Sequence, residues 1–381
     1  MPNPFLIETL PPDSPFCDRQ EEIRRLLSCA ESGTNIVLLS PRRYGKTSLA
    51  LRVQAMLARQ GYVTIYCQFF GVDSVLDAAS RMARSILGAI HARESLLAKG
   101  KRLLKYFSSF RPVFRPTEDG VSVGVEPAST EKPMELLERI LGELAEFTAK
   151  SGYRVNFVLD EFQEITRLKE SAQIEGIMRG KIQGLKASFF FLGSRRGILR
   201  AMFSERKRPF FQSAINMELP PLPHEDLVAF LSELFAKEGK DCPDELCAEI
   251  SLKVEQHPYY VQRLAREVYD LEKDEFLQED VKRALEQVID AERYAFEAVL
   301  SQLTIPQVRV LRTLAQSSTK EMLSGEFISK CGLPTSSVQF ARDRLKKEDF
   351  IEQAKESGTW KVVDPVFAKW LNVIAGNKAP G

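Results

Sequence analysis

Histidine is scarce in this chain, and cysteine is never paired. The three histidines, His91, His224 and His257, stand far apart, which argues against a His/Cys metal centre. Six cysteines lie at 17, 29, 67, 242, 247 and 331 with no C-x-x-C among them. They read as reduced thiols of a cytoplasmic protein rather than a disulfide frame. A charge of one sign is also missing. Lys and Arg number 53 against 52 Asp and Glu, a formal net charge of +1, so binding to nucleic acid or a membrane surface would have to rest on a local patch. No apolar run approaches the ~20 residues that cross a bilayer. The proline-rich start, Met1 to Asp13, lacks the basic-then-apolar form of a secretion signal.

What is present is ordinary globular material. The 381 residues, 44% hydrophobic and 28% charged, suffice for two or three domains. Short β-branched and aromatic runs at 36–39, 63–69, 155–159, 188–192 and 215–219 alternate with helical patterns. That is the signature of a parallel α/β sheet covered on both faces. Between the second and third runs, residues 99–132 depart from the pattern. Lys99, Lys101, Arg102, Lys105, Arg111 and Arg115 are interleaved with Phe107, Phe110 and Phe114, and Thr117-Glu118-Asp119-Gly120 is a turn sequence. A β-hairpin insertion is expected there. It is either a partner or DNA contact or a surface hairpin packed back on the domain, and we favour the second. After Pro223 the strands stop. Amphipathic helices are expected at 224–238, 243–254, 258–271 and 278–290, then at 296–303, 305–316, 321–331 and 334–348. A short alternating stretch around Ser357-Gly358 completes a winged-helix arrangement. The chain therefore divides into a core (1–222), a helical lid (223–295) and a winged-helix unit (296–381).

Three stretches carry chemistry. Ser40-Pro41-Arg42-Arg43-Tyr44-Gly45-Lys46-Thr47-Ser48 follows a strand and opens a helix, the context of a phosphate-binding P-loop. Loop N–H groups point at phosphate oxygens, Lys46 supplies a point charge, and the Thr47 hydroxyl can ligate Mg²⁺. Ser40 replaces the usual leading glycine and adopts φ > 0 less readily. Next, the strand 155–159 delivers Asp160 and Glu161 at its C-terminal end, where a parallel sheet binds ligands. Asp160 would hold Mg²⁺ through its water shell, and Glu161 would polarise the attacking water. Finally, the fourth strand ends at Ser194. This serine either senses the γ-phosphate or caps a helix. Arg195, Arg206 and Arg208 follow. Any of them is either an arginine finger, in cis or on a neighbouring subunit, or an ordinary solvated charge.

With these motifs in place, the chain resembles the archaeal-type ATPase family of AAA+/STAND P-loop ATPases over about residues 4–372. The matching stretches are Arg42 to Leu49, Asp160-Glu161-Phe162-Gln163, and Asp364-Pro365-Val366-Phe367-Ala368-Lys369-Trp370. Phe16-Cys17-Asp18-Arg19 and Gln256-His257-Pro258-Tyr259 stand in place of two further family boxes, each lacking a glycine. The resemblance implies a sheet of order 5-1-4-3-2, a lid and a C-terminal winged helix. It implies ATP with Mg²⁺, Arg19 and Pro258 on the adenine side, and Arg263 (or Arg266) as a lid arginine sensing nucleotide. It also implies hydrolysis that moves the domains, a protein partner of unstated identity, and a nucleotide-dependent oligomer as one arrangement. Two other functions stay open: a slow nucleotide-gated switch acting through a protein, and a DNA-handling ATPase similar to replication initiators. The helix 334–348 mixes Arg342, Arg344, Lys346 and Lys347 with Asp343, Glu348 and Asp349. Such a balance suits a protein contact better than base readout.

Overall fold

Strand and helix alternate as the hydrophobic pattern dictates. A computed structural model describes residues 3–95, 107–117, 120–127, 131–271 and 273–376. In chain order the core comprises α1 (Gln20–Glu31), β1 (Ile36–Leu39), α2 (Lys46–Arg59), β2 (Val63–Gln68), α3 (Val75–Ser95), β3 (Phe110–Thr117), β4 (Gly120–Pro127), α4 (Pro133–Ser151) and β5 (Val155–Asp160). A 3₁₀ segment, Phe162–Arg167, follows, then α5 (Ser171–Ile182), β6 (Ala187–Gly193), α6 (Arg196–Ser204) and β7 (Ile215–Glu218). The sheet runs β2-β5-β6-β1-β7, with every pairing parallel. Setting aside the hairpin strands β3 and β4, the five sheet strands in chain order are β1, β2, β5, β6 and β7. Read from the β7 edge, that order is the expected 5-1-4-3-2.

Period-two alternation divides the sheet between two cores. Val37, Leu39, Ile65, Cys67, Phe157, Leu159, Phe189 and Phe191 face α3, α4, α5 and α6. Ile36, Leu38, Val158, Phe190 and Leu192 face α1 and α2. The hairpin forms where expected, with Phe114 opposite Val123. Phe107 and Phe110 are buried in the first of these cores, which is the packed-back outcome. The basic residues at 99–105 and the turn pair Glu118-Asp119 lie outside the described residues.

The remainder is helical: α7 (His224–Lys237), α8 (Asp244–Lys253), α9 (Pro258–Tyr269), α10 (Gln278–Ala291), α11 (Arg293–Ser301), α12 (Ile305–Gln316), α13 (Gly325–Cys331) and α14 (Thr335–Lys347). The wing β8 (Ile351–Gln353) and β9 (Trp360–Val362) precedes α15 (Pro365–Gly376). α13 begins later than the expected 321, because the Ser324 side chain accepts from the Phe327 N–H and starts the helix there. α6 was not anticipated; it is short, and arginines obscure its apolar face of Leu199, Met202 and Phe203.

The lid helices and the winged helix share one continuous apolar core, from Leu227 and Phe235 through Val288 and Phe296 to Trp370. The N-terminal arm joins it through Phe5, whose ring lies 4.8 Å from Phe235. By contrast, polar contacts dominate where the winged helix meets the sheet domain. Arg196 pairs with Asp349 and with Glu352, each at 2.9 Å. Lys355 pairs with Glu218, and Lys361 with Glu255 of the lid at 2.8 Å.

Candidate functional site

Backbone geometry sets the P-loop. The left-handed turns fall on Arg43 (φ 60°) and Gly45 (φ 82°), not on Ser40. Serine in place of the leading glycine therefore introduces no strain of the kind expected. Its hydroxyl has a use instead: Lys46 Nζ donates to Ser40 O and Ser40 Oγ, each at 3.2 Å, and to Pro41 O at 3.0 Å. The ammonium lies folded onto its own loop. Burial pulls its pKa down to about 8, although Glu161 and Asp160 favour the charge.

Thr47, at the start of α2, donates from Oγ1 to Asp160 Oδ2 at 2.7 Å. Tyr66 of β2 donates to the same oxygen at 2.7 Å. The other carboxylate oxygen accepts the Glu161 N–H at 2.9 Å. A hydroxyl beside a carboxylate is an oxygen donor set that fits a hard cation such as Mg²⁺. His/Cys/Asp/Glu clusters of metal-binding size are absent among the described residues.

Glu161 adopts a left-handed φ of 51°, uncommon for a residue with a Cβ. Phe162 holds it there. That ring is fully buried against Phe69, Phe191 and Phe210. Glu161 Oε2 then accepts from Ser194 Oγ at 2.9 Å and from Gln163 Nε2. A Cβ at Gly193 would stand 2.0 Å from Gln163 Oε1, so this glycine keeps room for the amide that holds the glutamate. The Phe and Gln of Asp-Glu-Phe-Gln thus serve as the anchor of Glu161 and its hydrogen-bond partner.

A cavity of about 510 Å³ opens over these groups. Its walls are the loop from Arg42 to Ser48, then Glu161 and Ser194, then Pro258, Tyr259 and Gln262 of the lid, and Leu6 to Leu10 of the N-terminal arm. Here the Leu10 N–H donates to Ser48 Oγ at 3.0 Å, and Phe5 ties the arm to the lid. The lid grips the loop by aromatic contacts. The Arg43 guanidinium lies 4.1 Å over the Tyr259 ring, and Tyr44 meets His257 edge-on at 4.8 Å. Burial keeps the His257 imidazole neutral, with its pKa down to about 3.

Other sequence candidates lie elsewhere. Arg19 does not line the cavity. It is buried, paired with Glu22 at 2.9 Å, and donates to Pro220 O at 2.8 Å. Its donors join α1 to the end of the core, apart from the cavity that Pro258 lines. Arg208 contacts Oε1 of the fully buried Glu175 at 2.6 Å. Burial lifts that carboxyl to about 7 against the pull of Arg208. A partner so deep holds Arg208 away from the cavity. Arg206 is exposed in the loop after α6. Arg263 pairs with Glu267 on its own helix at 2.8 Å. Arg195 lines a second cavity of about 570 Å³ between core and winged helix, which shares Arg42 and Ser194 with the first. Its nearest carboxylate, Glu348, is 4.0 Å away.

The C-terminal Asp-Pro-x-Phe-x-x-Trp stretch has a structural reason. Asp364 Oδ1 caps α15 by accepting the Val366 and Phe367 N–H groups, and Oδ2 accepts from Tyr260 of the lid at 2.7 Å. Phe367 and Trp370 pack on Phe296.

Comparison with known proteins supports the fold. Residues 294–373 match a family model described as a probable winged helix domain. The whole chain is similar to the Walker-type ATPase PABY2304 of Pyrococcus abyssi, with 19% identity and a TM-score of 0.70, covering 94% of this chain and 96% of that one. It is also similar to the ORC2 protein of Aeropyrum pernix, solved in ADPNP-ADP complexes. That match has 14% identity and a TM-score of 0.60, covering 99% and 98% of the two chains. No curated protein matches the sequence. The chain has the fold of archaeal Walker-type ATPases with a C-terminal winged helix.

Proposed function

We propose that this protein binds ATP with Mg²⁺ in the 510 Å³ cavity and hydrolyses it, and that the cycle moves the lid and winged helix against the core. One observation carries the reading: Lys46, the Thr47–Asp160 contact of 2.7 Å and the Glu161–Ser194 contact of 2.9 Å converge at a single mouth. Loop amides and Lys46 bind the phosphates. Thr47 and Asp160 hold the metal, which when bound neutralises charge on the phosphates. Glu161 orients a water and takes its proton. Ser194 holds Glu161 in place and lies at the γ-phosphate side. An adenine nucleotide is favoured by likeness to the ORC2 protein solved with ADPNP and ADP. In the test, Glu161→Gln retains nucleotide binding and loses turnover; equal turnover would remove Glu161 from this role.

A second reading, the slow nucleotide-gated switch, draws support from the polar joint. Arg196 stands two residues after Ser194 and holds Asp349 and Glu352 of the winged helix. Burial works against its charge, yet the two carboxylates raise its pKa. A movement at Ser194 would therefore reach the winged helix directly. The joint also bears on DNA handling: Lys355 and Lys361, the wing lysines suited to phosphate contacts, are here paired with Glu218 and Glu255. Slow single turnover, with a large change in protease sensitivity on ATP binding, would favour the switch. Salt-sensitive DNA binding lost on charge reversal of Arg342 and Lys346 would favour DNA handling.

A further inference from the structure

The sequence gives Tyr66 no role beyond a place in a half-buried strand. In the structure it sits on the sheet face covered by α2, packed against the cluster that includes Val158, Leu49 and Val53. Register explains its reach. β2 and β5 run parallel with Tyr66 opposite Val158 and Gln68 opposite Asp160. Tyr66, Val158 and Asp160 thus share one face, and the phenol is long enough to span the two residues to the strand end. Its hydroxyl meets Asp160 Oδ2 at 2.7 Å, the same oxygen that Thr47 Oγ1 meets at 2.7 Å. Tyr66 does not line the nucleotide cavity, so it acts on the site only through this carboxylate.

Resting on the Mg²⁺ reading above, we propose that Tyr66 is a positioning residue of the metal site, its hydroxyl fixing the Asp160 carboxylate in the orientation that holds Mg²⁺. The two donors on Oδ2 differ in what they serve. The Thr47 hydroxyl is the expected metal ligand: its oxygen lone pair would meet the cation while its proton stays on Asp160, so its position is tied to the cation, whereas the Tyr66 hydroxyl serves the carboxylate alone. The Glu161 N–H holds Oδ1, and on Oδ2 Tyr66 is the donor that is not itself an expected metal ligand. Tyr66 supplies the second fixed point. Hydrogen-bond partners of metal-binding carboxylates typically change metal affinity by about 10–100-fold when removed. The lower end applies here, because Asp160 keeps its backbone partner.

The test is a Mg²⁺ titration of mant-ATP binding to the full chain, comparing wild type, Tyr66→Phe and Thr47→Ala. Tyr66→Phe keeps the ring that packs on α2 and deletes only the donor. Its half-saturating Mg²⁺ concentration should rise about tenfold. Its mant-ATP affinity in EDTA should equal that of wild type, and saturating Mg²⁺ should restore full binding. An unchanged Mg²⁺ requirement, or an equal loss in EDTA, overturns the proposal and leaves the metal site intact. If instead wild-type binding ignores Mg²⁺, or Thr47→Ala matches wild type throughout, the metal-site reading itself fails and the role of Tyr66 with it.

Discussion

Lys46 carries the most chemistry of any single residue, and its protonation is testable. Burial lowers its pKa to about 8. Bound phosphates would hold the proton on, so the complex binds it more tightly than the free protein does. Affinity for ATP should therefore be flat below pH ~8 and fall about tenfold per unit above it; a profile flat to pH ~9.5 would contradict the assignment. A second residue-scale prediction concerns Gln256, in a left-handed conformation at φ 54°, where the family box has glycine. The left-handed form costs a side-chain-bearing residue about 1–2 kcal/mol, partly offset by the larger unfolded-state entropy of glycine. Gln256→Gly should stabilise by about 0.5–1 kcal/mol, read from the urea midpoint. Asp18 has the same geometry, φ 48°. Both positions, where the family boxes have glycine, adopt a left-handed backbone here. The arginines show the opposite limit. Arg195 and Arg208 are equivalent as letters, and only the buried Glu175 on a distant helix separates them.

Elements were legible wherever period and length agreed. The five strands and most helices follow from alternation or helical spacing, because one-sided burial imposes those periods. α6 and the 3₁₀ segment escaped because each is short and its placement is set by tertiary contacts, namely the Phe162, Phe191, Phe203 and Phe210 cluster. The joint between α6 and the end of α14 was likewise invisible, since it pairs residues about 150 positions apart. It yields a prediction. Arg196→Ala removes the cation that Asp349 and Glu352 share, leaving Glu352 with Lys361 at 3.8 Å. Arg196 is 19% exposed, so the cost falls below that of breaking a fully buried pair, at about 1–3 kcal/mol. Because the joint is polar, the loss should appear as faster protease cleavage of the chain joining core and lid, with little change in the unfolding of the core. Unchanged cleavage would mean that the clamp holds nothing.

At the scale of the whole molecule, the sequence suggests three units: core, lid and winged helix. Lid and winged helix share one apolar core, which favours their moving together. The sheet domain meets the winged helix through ion pairs rather than through that apolar core. The N-terminal arm crosses this divide, with Phe5 in the lid and Leu10 on Ser48. A nucleotide bound in this cavity, as proposed, would touch both bodies. Phosphate-side residues could be read from the motifs because their chemistry fixes both residue type and spacing. The cavity wall of Leu6 to Leu10 and Tyr259 could not, because backbone and apolar contacts impose no such pattern. The most direct check of the central claim is the equilibrium affinity of mant-ATP with Mg²⁺ for wild type and Lys46→Ala at pH ~7. Loss of a charge-assisted contact to phosphate predicts weakening of at least about tenfold. Equal affinity in the two proteins would show that the loop from Ser40 to Ser48 is not the nucleotide site.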